Sequence, residues 1–360
     1  MTIYVFTIFL LTSLTFYFNN NRNHITENIF FINTIIYFIF LIGFRNNIGG
    51  DWWLYEKTFY NIDINENFTT LISDFKQRSE YGFYLINVII RKLNLSFHYV
   101  NFFVSIIFFI NLSIYIRQFK NKFLALLIAF PIIILIIHCG FVRQSLALSF
   151  LFVAFYFFVK KNIFLFILNI LLGFFFHYSI LIFLPFIILI ENKSRAVVIS
   201  IFLIFSIIAY LIFSNHLFNL YEIYIKHSDN PGNFDYPKGA KFRVGINAIF
   251  AIIFLITFKK IELKNSEISL YLPISILTLL SFPLLIFFPV FIDRINFYFV
   301  VLHIFILSKL VESNIIDKKL KEVSIILIVI FYFFIYFVWS NFATHSKYWD
   351  NYSNYLFMIS

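Results

Sequence analysis

The stretch IFFINTIIYFIFLIGFRNNIGGDWWLYEKTFYN, residues 29–61, decides the fold class. Its first half, up to Phe44, is an almost entirely apolar run that is long enough to cross most of a bilayer. The chain then changes abruptly to a cation, two glycines, a carboxylate and a cluster of aromatic side chains. These residues are Arg45, Gly49, Gly50, Asp51, Trp52, Trp53 and Tyr55. Such a patch at the end of a membrane span indicates a site for a charged substrate that contains rings.

Apolar runs of this kind recur along the chain. Of its 360 residues, 61% are hydrophobic, whereas a soluble globular protein has about 45–50% apolar residues. The pattern predicts an all-α polytopic membrane protein, with residues 1–360 forming a single integral membrane domain. We expect about 12 transmembrane helices, at 3–18, 29–44, 97–116, 123–137, 144–159, 163–176, 178–190, 196–213, 244–258, 268–289, 295–310 and 322–339.

Several classes of site are absent from the sequence. Its one cysteine, Cys139, excludes an internal disulfide and a cysteine-based metal site. The sequence contains no P-loop, GxGxxG, HExxH or GxSxG motif, and its histidines lack metal-ligand spacing. We therefore expect neither a cofactor nor a metal. The net charge of +10 is explained by membrane orientation rather than by nucleic-acid binding.

The basic residues predict how the chain is oriented in the membrane. Two predicted spans separate each basic cluster from the next, so all the clusters fall on one side, which should be the cytoplasm. The clusters are Arg117/Lys120/Lys122, Lys160/Lys161, Lys193/Arg195, Lys259/Lys260/Lys264 and Lys309/Lys318/Lys319/Lys321. Both termini and residues 45–96 then lie outside, provided that the interrupted segment 81–95 does not cross. We expect that segment to be interfacial or re-entrant. Residues 214–243 form a second long outer loop.

This orientation collects unusual charges on the outer side. Arg45, Arg143, Arg243 and Arg294 all fall there, against the usual bias, and a planar guanidinium can bind phosphate oxygens through two hydrogen bonds. The ordinary structural alternatives are snorkelling of Arg45 to headgroups and local ion pairing, for which Asp293 lies beside Arg294.

Three further groups on this side could carry acid–base chemistry. Asp51 could instead cap a short helix, and Glu80 could serve a helix N-terminus. His177, between two closely spaced spans, is either a hydrogen-bonded structural group or a proton carrier near neutral pH. Gly49 and Gly50 allow a tight turn and a close approach of the backbone to a ligand. Trp52, Trp53 and Tyr55 suit either an interfacial aromatic belt or a stacking surface for sugars.

These residues together resemble the signature of the EpsG-type polysaccharide polymerases, a branch of the Wzy-like O-antigen polymerases. The resemblance begins with Arg45-x3-Gly49-x-Asp51-x3-Tyr55. It continues, in family order, as Glu80-Tyr81-Gly82-Phe83, Val142-Arg143-Gln144-Ser145-Leu146-Ala147, Phe176-His177-Tyr178-Ser179 and Arg294-Ile295-x2-Tyr298, with a weaker match at Asn354-Tyr355.

The resemblance implies a bacterial inner-membrane polymerase related to the GT-C glycosyltransferases. Its partners would be glycans linked to undecaprenyl diphosphate, membrane lipids and, as a candidate, a chain-length regulator. The growing chain would be the donor, a single lipid-linked repeat unit the acceptor, and transfer would occur at the periplasmic face. The product would be O-antigen, capsule or exopolysaccharide.

We assign roles on this hypothesis. Arg143, Arg243 and Arg294 would bind the diphosphate, with Arg45 either joining them or holding Asp51. Asp51 is the first candidate for the general base, with His177 and Glu80 behind it. Trp52, Trp53 and Tyr55 would orient sugars. Two other classes stay open: a flippase or transporter of the same lipid-linked oligosaccharide, and a membrane acyltransferase that modifies surface polysaccharide.

Overall fold

The computed structural model describes residues 2–20, 23–63, 81–190, 200, 203, 239–314 and 317–358, apart from the side chain of Lys318. Within these residues the chain is almost entirely helical. The α-helices are α1 (Thr2–Asn20), α2 (His24–Gly43), α3 (Trp52–Tyr60), α4 (Tyr81–Lys92), α5 (Phe97–Ile116), α6 (Lys122–Ala129), α7 (Val142–Val159), α8 (Ile163–Phe174), α9 (Ala240–Thr257), α10 (Asn265–Leu284), α11 (Pro289–Phe299), α12 (Val301–Glu312) and α13 (Lys318–Phe342).

Shorter elements complete the described chain. Helix α6 continues as a π-helix over Phe130–His138, and Tyr178–Leu189 forms a 3₁₀-helix. After α13 come the 3₁₀ turns Ser346–Trp349 and Tyr355–Phe357. The strands β1 (Arg45–Asn46) and β2 (Ser353–Asn354) pair antiparallel, so the C-terminal tail returns to the loop that follows α2.

Eight helical segments among the described residues are long and apolar enough to cross a membrane. The segments 122–138, 163–174 and 178–189 are apolar but shorter. The prediction of an all-α polytopic membrane protein is therefore confirmed. The predicted span 196–213 lies almost wholly outside the described residues, so the count of 12 and the GT-C-like architecture stay predictions.

Two predicted boundaries need correction. Residues 240–243 were expected to close the long outer loop, but α9 begins at Ala240 and Arg243 lies in its first turn. The remainder of that loop, up to residue 238, lies outside the described residues. The predicted span 295–310 starts earlier, because Pro289 opens α11 and the helical path runs on through Val300 into α12. Proline favours the first turn of a helix, where its missing N–H costs nothing.

Asparagine caps start several of these helices. The side-chain oxygens of Asn23, Asn121 and Asn162 accept backbone N–H groups in the first turns of α2, α6 and α8. These hydrogen bonds satisfy N–H groups that have no partner within the helix. An N–H group left without a partner in an apolar environment would cost free energy.

The basic clusters within the described residues and the unusual outer charges lie at opposite ends of the helices that carry them. At the basic end, Lys309 pairs with Glu267 at 2.8 Å and Lys122 pairs with Glu27 at 3.1 Å. Helices α7 and α9 carry Arg143 and Arg243 in their first turns and end near the basic clusters. In these described helices the two sets of charges are separated along the helix axes, and the side of the membrane that each set faces stays a prediction.

The centre of the bundle is formed by the helices that bury most of their surface. The described segments 97–116, 142–159 and 289–312 are 61%, 72% and 78% buried, whereas 319–342 is only 22% buried. Buried polar pairs join the central helices, including Asn111 Nδ2 to Ser149 Oγ at 3.1 Å. Helix α13 therefore packs at the periphery, with most of its apolar surface available to lipid.

Candidate functional site

The turn Ile48–Asp51 packs against the residues that follow the π-helix. Gly49 has a φ of +117°, and a Cβ at Gly49 would overlap the carbonyl oxygen of Cys139. The Gly49 N–H donates to the Tyr348 carbonyl at 3.3 Å, and the Gly49 carbonyl accepts from Trp52 N at 3.2 Å. A side chain is excluded at Gly49 both by its φ and by this close approach.

Gly50 has a different environment from Gly49. A Cβ at Gly50 would meet no atom within 4 Å, and Gly50 lines the main cavity of the described structure. The two adjacent glycines therefore have different structural roles. Gly49 fixes the turn against the protein, and Gly50 keeps the backbone beside the cavity uncovered.

The structure places Arg45 away from the solvent, and Arg45 is not among the residues that line the cavity. Its side chain is 1% exposed, and its guanidinium donates to the carbonyls of Ile42 and Ile48 and to Asn101 Oδ1 at 2.8, 3.3 and 3.0 Å. These three bonds join the end of α2, the turn and α5. We therefore no longer propose Arg45 as a phosphate ligand. The hydrogen bonds of Arg45 indicate that it holds the loop that carries Asp51 in place.

Asp51 stands directly before α3, at the capping position, but its side chain makes no capping hydrogen bond. The carboxylate lines the cavity together with Gly50 and Arg294. Burial raises the pKa of Asp51, although the charges of Arg294, Arg143 and His345 act in the opposite direction. A carboxylate with a raised pKa is a stronger base than an ordinary exposed one, which suits proton abstraction.

Arg143 lies at the start of α7 beside the aromatic face of α3. Its guanidinium carbon is 5.3 Å from the centre of the Tyr55 ring, and its Nε donates to Tyr55 Oη at 3.3 Å. Tyr55 also contacts the Phe83 ring at 5.3 Å, so α3, α4 and α7 meet at this point. The contact sets the position of the Arg143 cation near Asp51.

Arg294, in α11, is held by two aromatic rings. Its guanidinium carbon is 4.5 Å from the centre of Phe141 and 5.9 Å from that of Phe297. Gln144 Nε2 donates to the Arg294 carbonyl at 2.6 Å and fixes α11 against α7. No carboxylate of the described residues lies within ion-pair distance of Arg294, although the neighbouring Asp293 suggested such a pair.

Asp293 instead pairs with Arg243. The Nε and Nη2 atoms of Arg243 donate to the two carboxylate oxygens of Asp293 at 3.0 and 2.7 Å. Both residues line the cavity. Since this two-bond contact occupies the face of the guanidinium that a phosphate would use, we assign Arg243 to the wall of the site and not to the diphosphate.

His177 lies at the turn before the 3₁₀-helix, near the same arginines. Its Nδ1 is 2.6 Å from Ser179 Oγ, which is 2.7 Å from Tyr298 Oη. Burial, followed by the charges of Arg143 and Arg294, lowers the pKa of His177 to about 3. The imidazole therefore stays neutral at physiological pH and is a weak base. Its hydrogen bonds indicate a structural role, in which His177 and Ser179 link the start of the 3₁₀-helix to Tyr298 of α11.

The element around Gly82 packs against the His177 turn. The Gly82 N–H donates to the Phe175 carbonyl at 2.7 Å, and a Cβ at Gly82 would lie 3.0 Å from both that oxygen and the Phe176 ring. Two sequence elements that are far apart in the chain are thus brought together. Glu80 itself lies outside the described residues, so its proposed role as a proton carrier stays a prediction.

The three aromatic residues behind Asp51 have different surroundings. Trp52 is 5% exposed and packs edge-on against Phe97, with its Nε1 donating to Glu56 at 3.2 Å. Tyr55 is covered by Arg143. Trp53 is 61% exposed. Of the three proposed sugar contacts, we keep Trp53 as the candidate stacking surface and assign Trp52 and Tyr55 to the support of the loop.

A cavity of about 640 Å³ joins these groups to the apolar interior. Its lining includes the charged residues Asp51, Arg243, Asp293 and Arg294, together with Gly50, His345 and the buried polar residues Asn247, Asn296 and His303. Most of the remaining lining is apolar, including Ile136 of the π-helix, Ile246 of α9, Val300 between α11 and α12, and Ile335 and Val338 of α13. A cavity that combines charged residues with many apolar side chains is suited to an amphiphile whose charged group lies beside Arg294.

Comparison with known proteins matches residues 28–357 to the model of the EpsG family. The chain belongs to the EpsG family. This is a family of Wzy-like polysaccharide polymerases, in agreement with the resemblance of the motifs. No curated protein and no solved structure match the chain. Family membership and the apolar helices make it a membrane protein of the polysaccharide-polymerase type.

One part of the site in this EpsG-family chain was missed by sequence reasoning. Ala343, Thr344, His345 and Trp349, which follow α13, line the same cavity as Asp51. Trp349 packs edge-on against Trp339 at 5.2 Å, and its Nε1 donates to the Leu135 carbonyl at 3.2 Å. The sequence does not indicate that the tail reaches this cavity, because nearly 300 residues separate Tyr348 in the tail from Gly49, to which it is hydrogen-bonded.

The tail also covers the end of α2. The carbonyls of Phe40, Leu41 and Phe44 accept from Asn354 Nδ2, Tyr352 Oη and Tyr355 N at 3.2, 2.7 and 2.8 Å. Carbonyls at a helix C-terminus lack partners within the helix. The tail thus caps α2 and holds the loop that carries Asp51 in the EpsG-family chain.

No group of three histidine, cysteine or acidic side chains within the described residues is arranged to hold a metal. The expectation of metal-free chemistry stays a prediction.

Proposed function

We propose that this protein joins oligosaccharide repeat units linked to undecaprenyl diphosphate into O-antigen or a related surface polysaccharide, at the periplasmic face of the bacterial inner membrane. The observation that carries the proposal is that Asp51 and Arg294 line the same largely apolar cavity. Membership of the EpsG family supports the same class of reaction.

The proposed reaction uses Asp51 as the general base. The carboxylate takes the proton of the acceptor hydroxyl, and the acceptor oxygen forms a bond to the anomeric carbon of the donor sugar. The bond between that carbon and the diphosphate oxygen breaks, and its electron pair stays with the diphosphate. The raised pKa of Asp51 and its place at the cavity support this role.

Arg143 and Arg294 are the proposed diphosphate ligands. Aromatic rings hold each guanidinium in place, so little reorganisation is needed when charge develops on the leaving group. Both cations act on Asp51, which supports a common site for the base and the leaving group. Two arginines would stabilise the diphosphate without a metal, and repeating the reaction with a chelator tests that expectation.

The apolar walls of the cavity are proposed to receive the first part of the polyprenyl chain. Helix α13 contributes Ile335 and Val338 to these walls and is the least buried of the long helices. A lipid chain beside α13 would therefore pass from the cavity into the bilayer. Trp53, exposed beside Asp51, is the proposed stacking surface for a sugar.

The glycans of a strain that lacks this protein test the proposed function. Loss of a polymerase leaves single repeat units attached to the lipid core, and the intact gene restores long chains. Loss of a flippase would leave no repeat units on the core, and loss of an acyltransferase would leave chains of normal length. Either of the last two results would overturn the proposal.

A further inference from the structure

The segment that links α13 to the tail forms one wall of the cavity. Its residues Ala343, Thr344 and His345 line the same cavity as Gly50 and Asp51. His345 is exposed, so its imidazole is open to water as well as to the cavity. None of the sequence motifs includes this histidine.

The segment is held firmly at this position. Ser346 N and Oγ both donate to the Ala343 carbonyl, at 3.1 and 2.8 Å, which closes a tight turn around His345. On its far side, the Tyr348 carbonyl accepts from Gly49 N at 3.3 Å. The turn that carries His345 is thus bonded directly to the turn that carries Asp51.

The proposed reaction creates a need for a second proton carrier. After each transfer the proton rests on Asp51, and the carboxylate must lose it before the next acceptor arrives. The raised pKa that makes Asp51 a good base also slows this loss. A group between Asp51 and bulk water would return the carboxylate to its ionised form.

The other ionisable groups that act on Asp51, line the cavity or lie near the same arginines do not suit this task. Arg143 and Arg294 stay protonated and cannot accept a proton. His177 is buried, and its low pKa of about 3 makes it a poor acceptor. His303 also lines the cavity, but its two ring nitrogens contact Asn247 Oδ1 and Tyr332 Oη at 2.8 and 3.1 Å.

We propose that His345 is the proton carrier that follows Asp51 in the catalytic cycle. This inference rests on the proposed polymerase function. The acceptor hydroxyl gives its proton to Asp51, the Asp51 carboxyl gives that proton to the imidazole of His345, and the imidazolium releases it to water. No bond to carbon forms or breaks at His345, and the charge of each group is restored within one cycle. Imidazole is the side chain that gains and loses protons most readily near neutral pH.

The test uses the purified full-length protein and a defined undecaprenyl-diphosphate-linked repeat unit. His345→Gln keeps the size and polarity of the side chain but cannot carry a proton, and His345→Ala opens space for a small base. We expect both variants to lower kcat by about tenfold or more near neutral pH, with KM little changed. Lys347→Gln changes an exposed cation on the same turn that lies outside this cavity and should behave as the wild type.

Added imidazole provides the decisive arm of the experiment. It should restore turnover to His345→Ala, should not restore Asp51→Asn, and should leave the wild type unchanged. Wild-type kcat and pH profile in His345→Gln would overturn the inference. A slow His345→Ala variant that imidazole does not restore would also overturn it, because that result indicates a structural role. If the wild type itself makes no polymer from this substrate, the proposed function fails, which is a separate outcome.

Discussion

The guanidinium of Arg143 lies over the ring of Tyr55 and donates a hydrogen bond to its hydroxyl at 3.3 Å. This contact ties the first turn of α7 to the short helix that begins after Asp51. It sets the position of a cation beside the proposed base. The phosphate binding that we propose for Arg143 would therefore depend on the planar shape of the guanidinium as well as on its charge.

Replacing Arg143 by lysine tests this dependence. Arg143→Lys keeps the charge but loses the planar set of donors, and a hydrogen bond to a charged group contributes about 1.5–3 kcal/mol. We expect kcat/KM for the lipid-linked repeat to fall roughly tenfold to a hundredfold. Tyr55→Phe, which keeps the ring and loses the hydroxyl, is the matched control and should have a much smaller effect. Unchanged kinetics in Arg143→Lys would argue against diphosphate binding there.

Adding one methyl group is predicted to have opposite effects at the adjacent glycines Gly49 and Gly50. Gly49→Ala forces a side chain against the Cys139 carbonyl at a φ of +117° and should abolish long chains by displacing Asp51. Gly50→Ala meets no atom within 4 Å and should fold normally. Polymer length and the amount of inserted protein distinguish the two variants. Equal behaviour of the two alanine variants would contradict the structure of this turn.

The pH dependence of polymerisation tests the ionisation of Asp51. The carboxylate must be ionised to accept a proton, and burial raises its pKa. Activity should therefore be present above the raised pKa and should be lost as the pH falls through it. This loss should occur at a higher pH than an ordinary exposed carboxyl would give, and the acid limb of the profile of kcat/KM measures it. A profile without an acid limb would exclude Asp51 as the base.

The pair formed by Arg243 and Asp293 is predicted to stabilise the fold. The Asp293 side chain is 6% exposed and that of Arg243 is 25% exposed, so loss of the cation leaves a buried charge. We expect Arg243→Gln to destabilise the protein by about 3 kcal/mol, visible as a lower unfolding temperature in detergent. Arg243→Gln combined with Asp293→Asn should recover much of this loss. If Arg243→Gln were fully stable but inactive, Arg243 would return to the set of diphosphate ligands.

The tail is predicted to stay docked on the loop throughout the reaction. Asn46 and Ser353 face each other across the two short strands, with Nδ2 and Oγ 3.3 Å apart. Cysteines at both positions should therefore form a disulfide and remain active, whether oxidised or reduced. Each single cysteine variant is a control, and Cys139 is buried and should not compete. An oxidised double variant that regains activity only on reduction would show that the tail must undock.

Much of the fold could be predicted from the sequence, because the lipid environment demands long apolar helices. Residues 97–116 form a helix with the predicted bounds. In the described helices α7 and α9, the outer arginines and the basic clusters lie at opposite ends, and the orientation in the membrane that this suggests stays a prediction. What the pattern could not predict is the pairing of side chains across helices, since hydropathy does not encode which faces meet.

Arg45 and Asp293 illustrate this limit. Arg45 stands at a span end, where snorkelling or ligand binding is expected, but the carbonyls of Ile42 and Ile48 capture it. Asp293 lies beside Arg294 in the chain, but neighbours on a helix point to different sides, and Asp293 reaches Arg243 instead. His345 belongs to none of the sequence motifs. The proton transfer proposed for it depends on the tail folding back onto the Gly49 turn.

The most direct test of the central claim is polymerisation by the purified protein. The wild type and Asp51→Asn are each incubated with one undecaprenyl-diphosphate-linked repeat unit, and the products are resolved by length. We expect a ladder of chains and release of undecaprenyl diphosphate from the wild type, and the unreacted single repeat from a correctly folded Asp51→Asn. A full ladder from Asp51→Asn would contradict the assignment of Asp51 as the general base.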